Sequence, residues 1–193
     1  MLQTYTYHIA NVFAESHFGG NPLAVFPNAD GLTDEQMQAI AQQFNLSETV
    51  FLFAPTVKHG VQAIADLRIF TPNYEMPLAG HPTLGAAFII QKLQNLSTSF
   101  VLNTLAKPVS VQVDDSHVEL SLTGFEQCIS VATHEELAKI TGLRTADIGN
   151  QAYWMNAGTS QLILRVLSKQ KLLDAKINQE QLQIVCEKDQ ERA

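Results

Sequence analysis

The chain has 193 residues, 46% hydrophobic and 16% charged, enough for one large domain or two small ones and too apolar for disorder. Its net charge of -7, with 12 Lys and Arg scattered along the chain, excludes the basic patch that a nucleic-acid partner requires. The longest strongly apolar run, Leu84 to Ile90, falls far short of the roughly 20 residues of a membrane helix. The first seven residues lack the layout of a signal peptide, so the expectation is a cytoplasmic protein without a membrane partner.

In chain order, Tyr5, Tyr7, Ile9 and Val12-Phe13 alternate as a strand. Gly19-Gly20-Asn21-Pro22 forms a turn, and Leu23 to Phe26 a second strand. Thr33-Asp34-Glu35-Gln36 is a capping signature opening a helix with Met37, Ile40, Ala41 and Phe44 on one face, ending near Asn45. Glu48 to Phe53 and Ala63 to Phe70 are strands, and Pro72 closes the second. From Pro82 to about Gln94 the residues are apolar or small around most of the helix, so this helix belongs inside a domain. Pro82 suits the first helical position, which makes His81 the expected N-cap. Phe100 to Leu102, Val109 to Val113 and Val118 to Leu122 are further strands. After Gly124 the pattern restarts: a helix at about Thr133 to Thr141, strands at Tyr153 to Asn156 and Gln161 to Val166, and a terminal helix from Gln179 to Lys188. The expected division is therefore residues 1–124 and 125–193.

Cys128 and Cys186 stand 58 positions apart, outside any CxxC or Cys/His cluster, and both are expected to be buried thiols. His8, His17, His59, His117 and His134 are dispersed without ligand spacing, so no metal site is expected. His81 differs, because a helix mouth offers unpaired N–H groups and a positive dipole end. The N–H groups of Thr83, Leu84 and Gly85 are expected to hold a carboxylate there, with Gly80 permitting close backbone approach and Gly20-Asn21 supplying a second polar edge. Each residue also has a plainer reading: His81 as a cap, Gly20 and Asn21 as turn residues, Glu48 as a solvated carboxylate at a strand edge. Glu75 is assigned structural weight through bonds to backbone amides.

Three segments in order, Phe18-Gly19-Gly20-Asn21-Pro22-Leu23-Ala24-Val25, Leu46-Ser47-Glu48-Thr49-Val50-Phe51 and the run Arg68 to Gly85 with Ala79-Gly80-His81-Pro82, resemble the PhzF family of phenazine-biosynthesis-like isomerases. The resemblance implies an α+β fold of the diaminopimelate epimerase type. In it a mixed, largely antiparallel sheet wraps a buried central helix, in two pseudo-symmetric halves, of which this sequence carries the first and part of the second. It also implies a cofactor-independent isomerase acting on a small anionic substrate, with Glu48 as general acid/base and Gly80, His81, Thr83, Gly20 and Asn21 binding substrate. Diaminopimelate epimerases use two cysteines, one of them where this sequence has Ala79, and an alanine cannot exchange a proton. The Asp-Pro-x-x-Gly-Ser-like turn of the family's second half, with its Asp, does not occur here. Apolar strands from Tyr153 to Val166 would need covering, which leads to the expectation of a homodimer. The rival reading is a non-catalytic anion-binding or interaction protein built on the same first half.

Overall fold

The computed structural model describes residues 3–57, 60–115, 117–158 and 160–190. The chain divides into two compact units, Met1–Thr123 and Gly124–Ala193.

The first unit runs β1 (His8–Val12), β2 (Asn21–Phe26), α1 (Asp34–Phe44), β3 (Thr49–Phe53), β4 (Ala65–Phe70), β5 (Glu75–Met76), α2 (Gly80–Gln94), β6 (Ser99–Asn103), β7 (Pro108–Val113) and β8 (Val118–Ser121). Its sheet has the order β1-β2-β3-β4-β6-β7-β8, with the short β5 pairing β4 off this path. The β2/β3 and β4/β6 pairs are parallel and the others antiparallel.

Strands β2 and β3 read as continuous apolar runs because both of their faces are covered. On one face Val25, Val50, Leu52, Leu67 and Ile69 pack with Ala86, Ala87 and Ile90 of α2. On the other, Phe26, Phe51 and Phe70 pack with Met37 and Ala41 of α1, the Phe26 and Phe51 rings stacked at 4.9 Å. Helix α1 starts where the capping box predicts: Gln36 N donates to Thr33 Oγ1 at 3.3 Å and Thr33 N donates to Gln36 Oε1 at 2.9 Å. It stops at Asn45, whose left-handed φ of 51° suits an asparagine cap.

Helix α2 contacts β1, β2, β3, β7 and β8, so strands from both edges of the sheet close on it. Only a curled sheet can do that, and it places the helix inside, as the sequence reading expects. Its small residues allow the approach. A Cβ on Gly85 would stand 2.5 Å from Leu23 Cδ2 and 2.8 Å from Val12 Cγ2.

The second unit runs β9 (Glu126–Ile129), α3 (His134–Thr141), β10 (Ile148–Asn156), β11 (Ser160–Val166), α4 (Lys169–Asp174) and α5 (Gln179–Asp189), with strand order β11-β10-β9. Leu137, Ile140, Ile148, Ala152 and Val185 form its core. Each unit has an antiparallel hairpin with an 11-residue helix after it, α1 following β1-β2 and α5 following β10-β11 beyond the short α4. Glu35-Gln36-Met37-Gln38 and Glu180-Gln181-Leu182-Gln183 occupy the same positions in their helices.

Three expectations are corrected in this unit. Strand β9 is not legible in the sequence, since all four of its residues are exposed and show no alternation. Cys128 lies on it and is exposed, whereas Cys186 is buried as expected. Strand β10 begins five residues before Tyr153, across a register irregularity between Ile148 and Ala152 that hides its period.

Two carboxylates tie the helices of this unit together. Glu136 accepts from Thr133 N at 2.6 Å and from Lys188 Nζ at 3.0 Å. The Thr133 backbone N–H, then Lys188 and the Thr133 hydroxyl, hold its carboxyl down at about 2. Asp189 accepts from Ser130 Oγ at 2.6 Å, Trp154 Nε1 at 2.7 Å and Val131 N at 2.8 Å. Burial pushes Asp189 up, but the bonds from Ser130, Trp154 and Val131 together outweigh it and leave the carboxyl below its ordinary value of 3.8. Both groups titrate lower folded than unfolded, so their stabilisation is present above their ordinary values and is lost as pH falls through the folded ones, which for Glu136 is about 2. Glu136→Gln and Asp189→Asn should therefore lower Tm near neutral pH and make the acid-side fall in Tm shallower. A pH series of thermal melts with parental slope in both variants would contradict this.

Candidate active site

The topology brings four chain segments to one end of the first sheet. Strands β2 and β3 are parallel neighbours, so Asn21 at the start of one and Glu48 just before the other lie on the same side. Strand β1 runs against β2 with Val12 opposite Asn21, which delivers Phe13 to that end as well. The buried helix opens there with Gly80 and His81.

His81 Nδ1 lies 2.8 Å from Glu48 Oε2, and the two side chains are only 11% and 18% exposed. His81 Nε2 lies 3.2 Å from the backbone oxygen of Asn21. A carbonyl oxygen can only accept, so Nε2 carries a hydrogen and donates it to Asn21. The Nδ1 to Glu48 contact then holds one proton between base and acid: either Nδ1–H donates to a carboxylate or a carboxyl O–H donates to Nδ1. Around this pair, Ser47 Oγ donates to Asn21 Oδ1 at 3.3 Å, and Asn21 Nδ2 stands 3.5 Å from His81 Nδ1.

The expected helix start is displaced. The N-cap is Ala79 (φ -145°, ψ 140°), and Gly80, His81 and Pro82 are the first three helical residues. Pro82 fits the third position as well as the first, because none of the first-turn N–H groups has an intrahelical partner. The N–H groups turned toward the mouth are consequently those of Gly80 and His81. Those of Thr83, Leu84 and Gly85 lie a turn further in, and Thr83 N already donates to Ala79 O at 3.4 Å. Thr83 is fully buried and its hydroxyl donates to the same carbonyl at 2.7 Å, so it braces the turn and does not face the opening.

The two glycines differ in what they keep clear. Gly20 has a left-handed φ of 74°, and a Cβ there would stand 2.3 Å from Val12 O and 2.9 Å from Ala14 N, so it closes the hairpin turn. A Cβ on Gly80 would meet no protein atom within 4 Å. The space beside the Gly80 Cα is therefore free of protein atoms. Asn21 is brought to the site, but its groups are engaged by His81 and Ser47. Among the described residues Glu75 bonds no backbone amide: Arg68 Nε donates to its Oε1 at 2.7 Å, and Arg68 also reaches Asp34, fastening the turn that leads into α2. Of the dispersed histidines, His17 stands in the loop after β1, and His59 lies outside the described residues.

Two residues that the sequence reading did not assign to the site stand beside it. Ser47 could have been found from its place before Glu48. Phe13 carries only a weak signal, an apolar residue directly after Val12 that breaks the alternation of β1.

Gly20→Ala should lower stability by about 2 kcal/mol or more, since it adds both strain and a backbone clash. Gly80→Ala should raise stability by up to about 1 kcal/mol while weakening carboxylate binding at the mouth. Thermal melts with carboxylate titration check both, and a destabilised Gly80→Ala would contradict the open-mouth geometry.

Residues 10–191 match the family model described as phenazine biosynthesis-like protein. An uncharacterized isomerase of Pasteurella multocida is 45% identical over 182 residues, covering 92% of this chain and 61% of that protein. A trans-2,3-dihydro-3-hydroxyanthranilate isomerase of Pseudomonas fluorescens is 46% identical over 86 residues, 45% of this chain and 30% of that protein. The crystal structure of a PhzF-family phenazine biosynthesis protein from Bacillus anthracis superposes with a TM-score of 0.76 at 28% identity, covering 93% of this chain and 61% of that one. The chain thus spans about three fifths of the length of the Pasteurella and Bacillus proteins, with which it shares a mixed α+β fold. The motifs, the enclosed helix and the match over nearly the whole chain place this protein in the phenazine biosynthesis-like, PhzF family.

Proposed function

We propose that this chain carries the acid/base machinery of a cofactor-independent isomerase that moves a proton between two carbons of a small carboxylate-bearing substrate. The observation that supports it best is the 2.8 Å Glu48 to His81 contact, held at the mouth of a buried helix with little solvent access. Glu48, as carboxylate, takes a proton from one substrate carbon and returns it to another, so the substrate is rearranged with no net gain or loss of atoms or electrons. His81 holds and orients that carboxylate, and is itself fixed by the Asn21 carbonyl. The N–H groups of Gly80 and His81 would bind the substrate carboxylate in the space that Gly80 keeps open.

The name of the Pseudomonas fluorescens relative supplies a substrate to try. Incubated with trans-2,3-dihydro-3-hydroxyanthranilate in deuterated water and followed by NMR, the chain should isomerise it with deuterium incorporation. Glu48→Gln should lower that rate by about 10²–10⁴-fold with the fold intact. Undiminished exchange in Glu48→Gln would sink the proposal. The second reading, carboxylate binding without turnover, is favoured by the N–H groups of Gly80 and His81 at the start of α2, which can hold an anion without any proton transfer. Binding at His81 with no exchange in the parent chain would select it.

A further inference from the structure

Phe13 combines a left-handed backbone with an exposed side chain. Its backbone is left-handed, with φ 59°, a genuine outlier for a bulky side chain. Its side chain is also largely in water, the residue being 71% exposed. Burial in the core therefore does not compensate the strain. The backbone on either side is closely hemmed in: Val12 packs against Gly85, and Gly20 lies so near Val12 O and Ala14 N, the atoms flanking Phe13, that a Cβ on it would stand 2.3 and 2.9 Å from them. What this arrangement achieves is a position. The Phe13 ring centre stands 6.4 Å from that of His81, tilted by 39°, beside the first turn of α2.

Glu48, Asn21, Ser47 and the Gly80 and His81 amides make the rest of the mouth polar. A carboxylate bound there would carry the body of its molecule past His81, and Phe13 is the apolar surface beside that ring. Strained, exposed backbone beside acid/base groups is what a site-building residue shows, since the strain persists only where the surroundings over-determine it. We infer that Phe13 is the specificity-determining wall of this mouth, selecting carboxylates whose body offers a flat apolar face over small hydrophilic anions. The inference rests on the anion-binding reading given above and assigns Phe13 no part in proton transfer.

The test uses the whole chain and two probes, sodium benzoate and sodium acetate, each titrated while the His81 ring resonances are followed by NMR. In the parent chain benzoate should bind about tenfold more tightly than acetate, the amount expected for covering a small apolar area. Phe13→Ala and Phe13→Asn should bring the two affinities together while leaving that for acetate unchanged. Asparagine suits a left-handed backbone, so Phe13→Asn should also melt at an equal or higher temperature than the parent. A structural Phe13 would give the opposite result. Equal binding of the probes by the parent, a preference surviving in both variants, acetate binding lost together with benzoate, or a lowered Tm in Phe13→Asn would each overturn the inference. Failure of both probes to move His81 in the parent would overturn the anion-binding reading and this inference with it, whereas acetate binding without a benzoate preference would remove the wall alone.

Discussion

Helix α2 touches strands at both edges of the sheet, from β1 on one side to β8 on the other. An almost wholly apolar helix is stable in water only when enclosed, and Gly85, Ala86, Ala87 and Ile90 are the enclosed surface. The sheet has to curl to achieve this, and the positions of the other parts follow. Once α2 is held in the bore, its first turn emerges at the end of the sheet where the parallel β2 and β3 begin. Asn21 and Glu48 meet His81 there because their strands share a direction. An antiparallel β2/β3 pair would have sent Glu48 to the far end.

Within the site, hydrogen-bond bookkeeping restricts what the side chains can be. The Asn21 carbonyl, part of the β2 backbone, allows His81 Nε2 only the donor role. The remaining ring nitrogen and the Glu48 carboxyl therefore form a pair that shares a proton over 2.8 Å. Ser47 Oγ donates to the Asn21 carboxamide and so holds the residue whose backbone carbonyl fixes His81. Arg68, on β4, does the corresponding work for the approach to α2, clamping Glu75 and reaching Asp34 at the start of α1. The buried helix and the surface ion pairs thus act on the same turn from opposite sides.

Much of this was legible in the amino-acid sequence where local chemistry and the final fold agree. The capping boxes at Thr33 and Thr133 mark helix starts that the structure keeps, because their hydrogen bonds are local and independent of tertiary context. The apolar circumference of α2 announces burial for the same reason. The helix start near His81 was displaced because proline is tolerated throughout the first turn, and what sets the first helical residue is the extended backbone of Ala79. Strand β9 and helix α4 have no buried residue to give them a period. The engagement of Asn21, the bracing role of Thr83 and the approach of Phe13 depend on which strands are neighbours. That information resides in the β1-β2-β3 pairing and not in any window of sequence.

The direct test of the central claim is the protonation of the His81 ring in the intact chain, read from its two nitrogen-15 resonances across the pH range in which histidine titrates. The account predicts that Nε2 carries a hydrogen throughout, and that Glu48→Gln changes Nδ1 while leaving Nε2 hydrogen-bearing. A neutral ring with its hydrogen on Nδ1 and a bare Nε2 would contradict it, since the Asn21 carbonyl would then have nothing to accept and Glu48 would no longer share the histidine's proton.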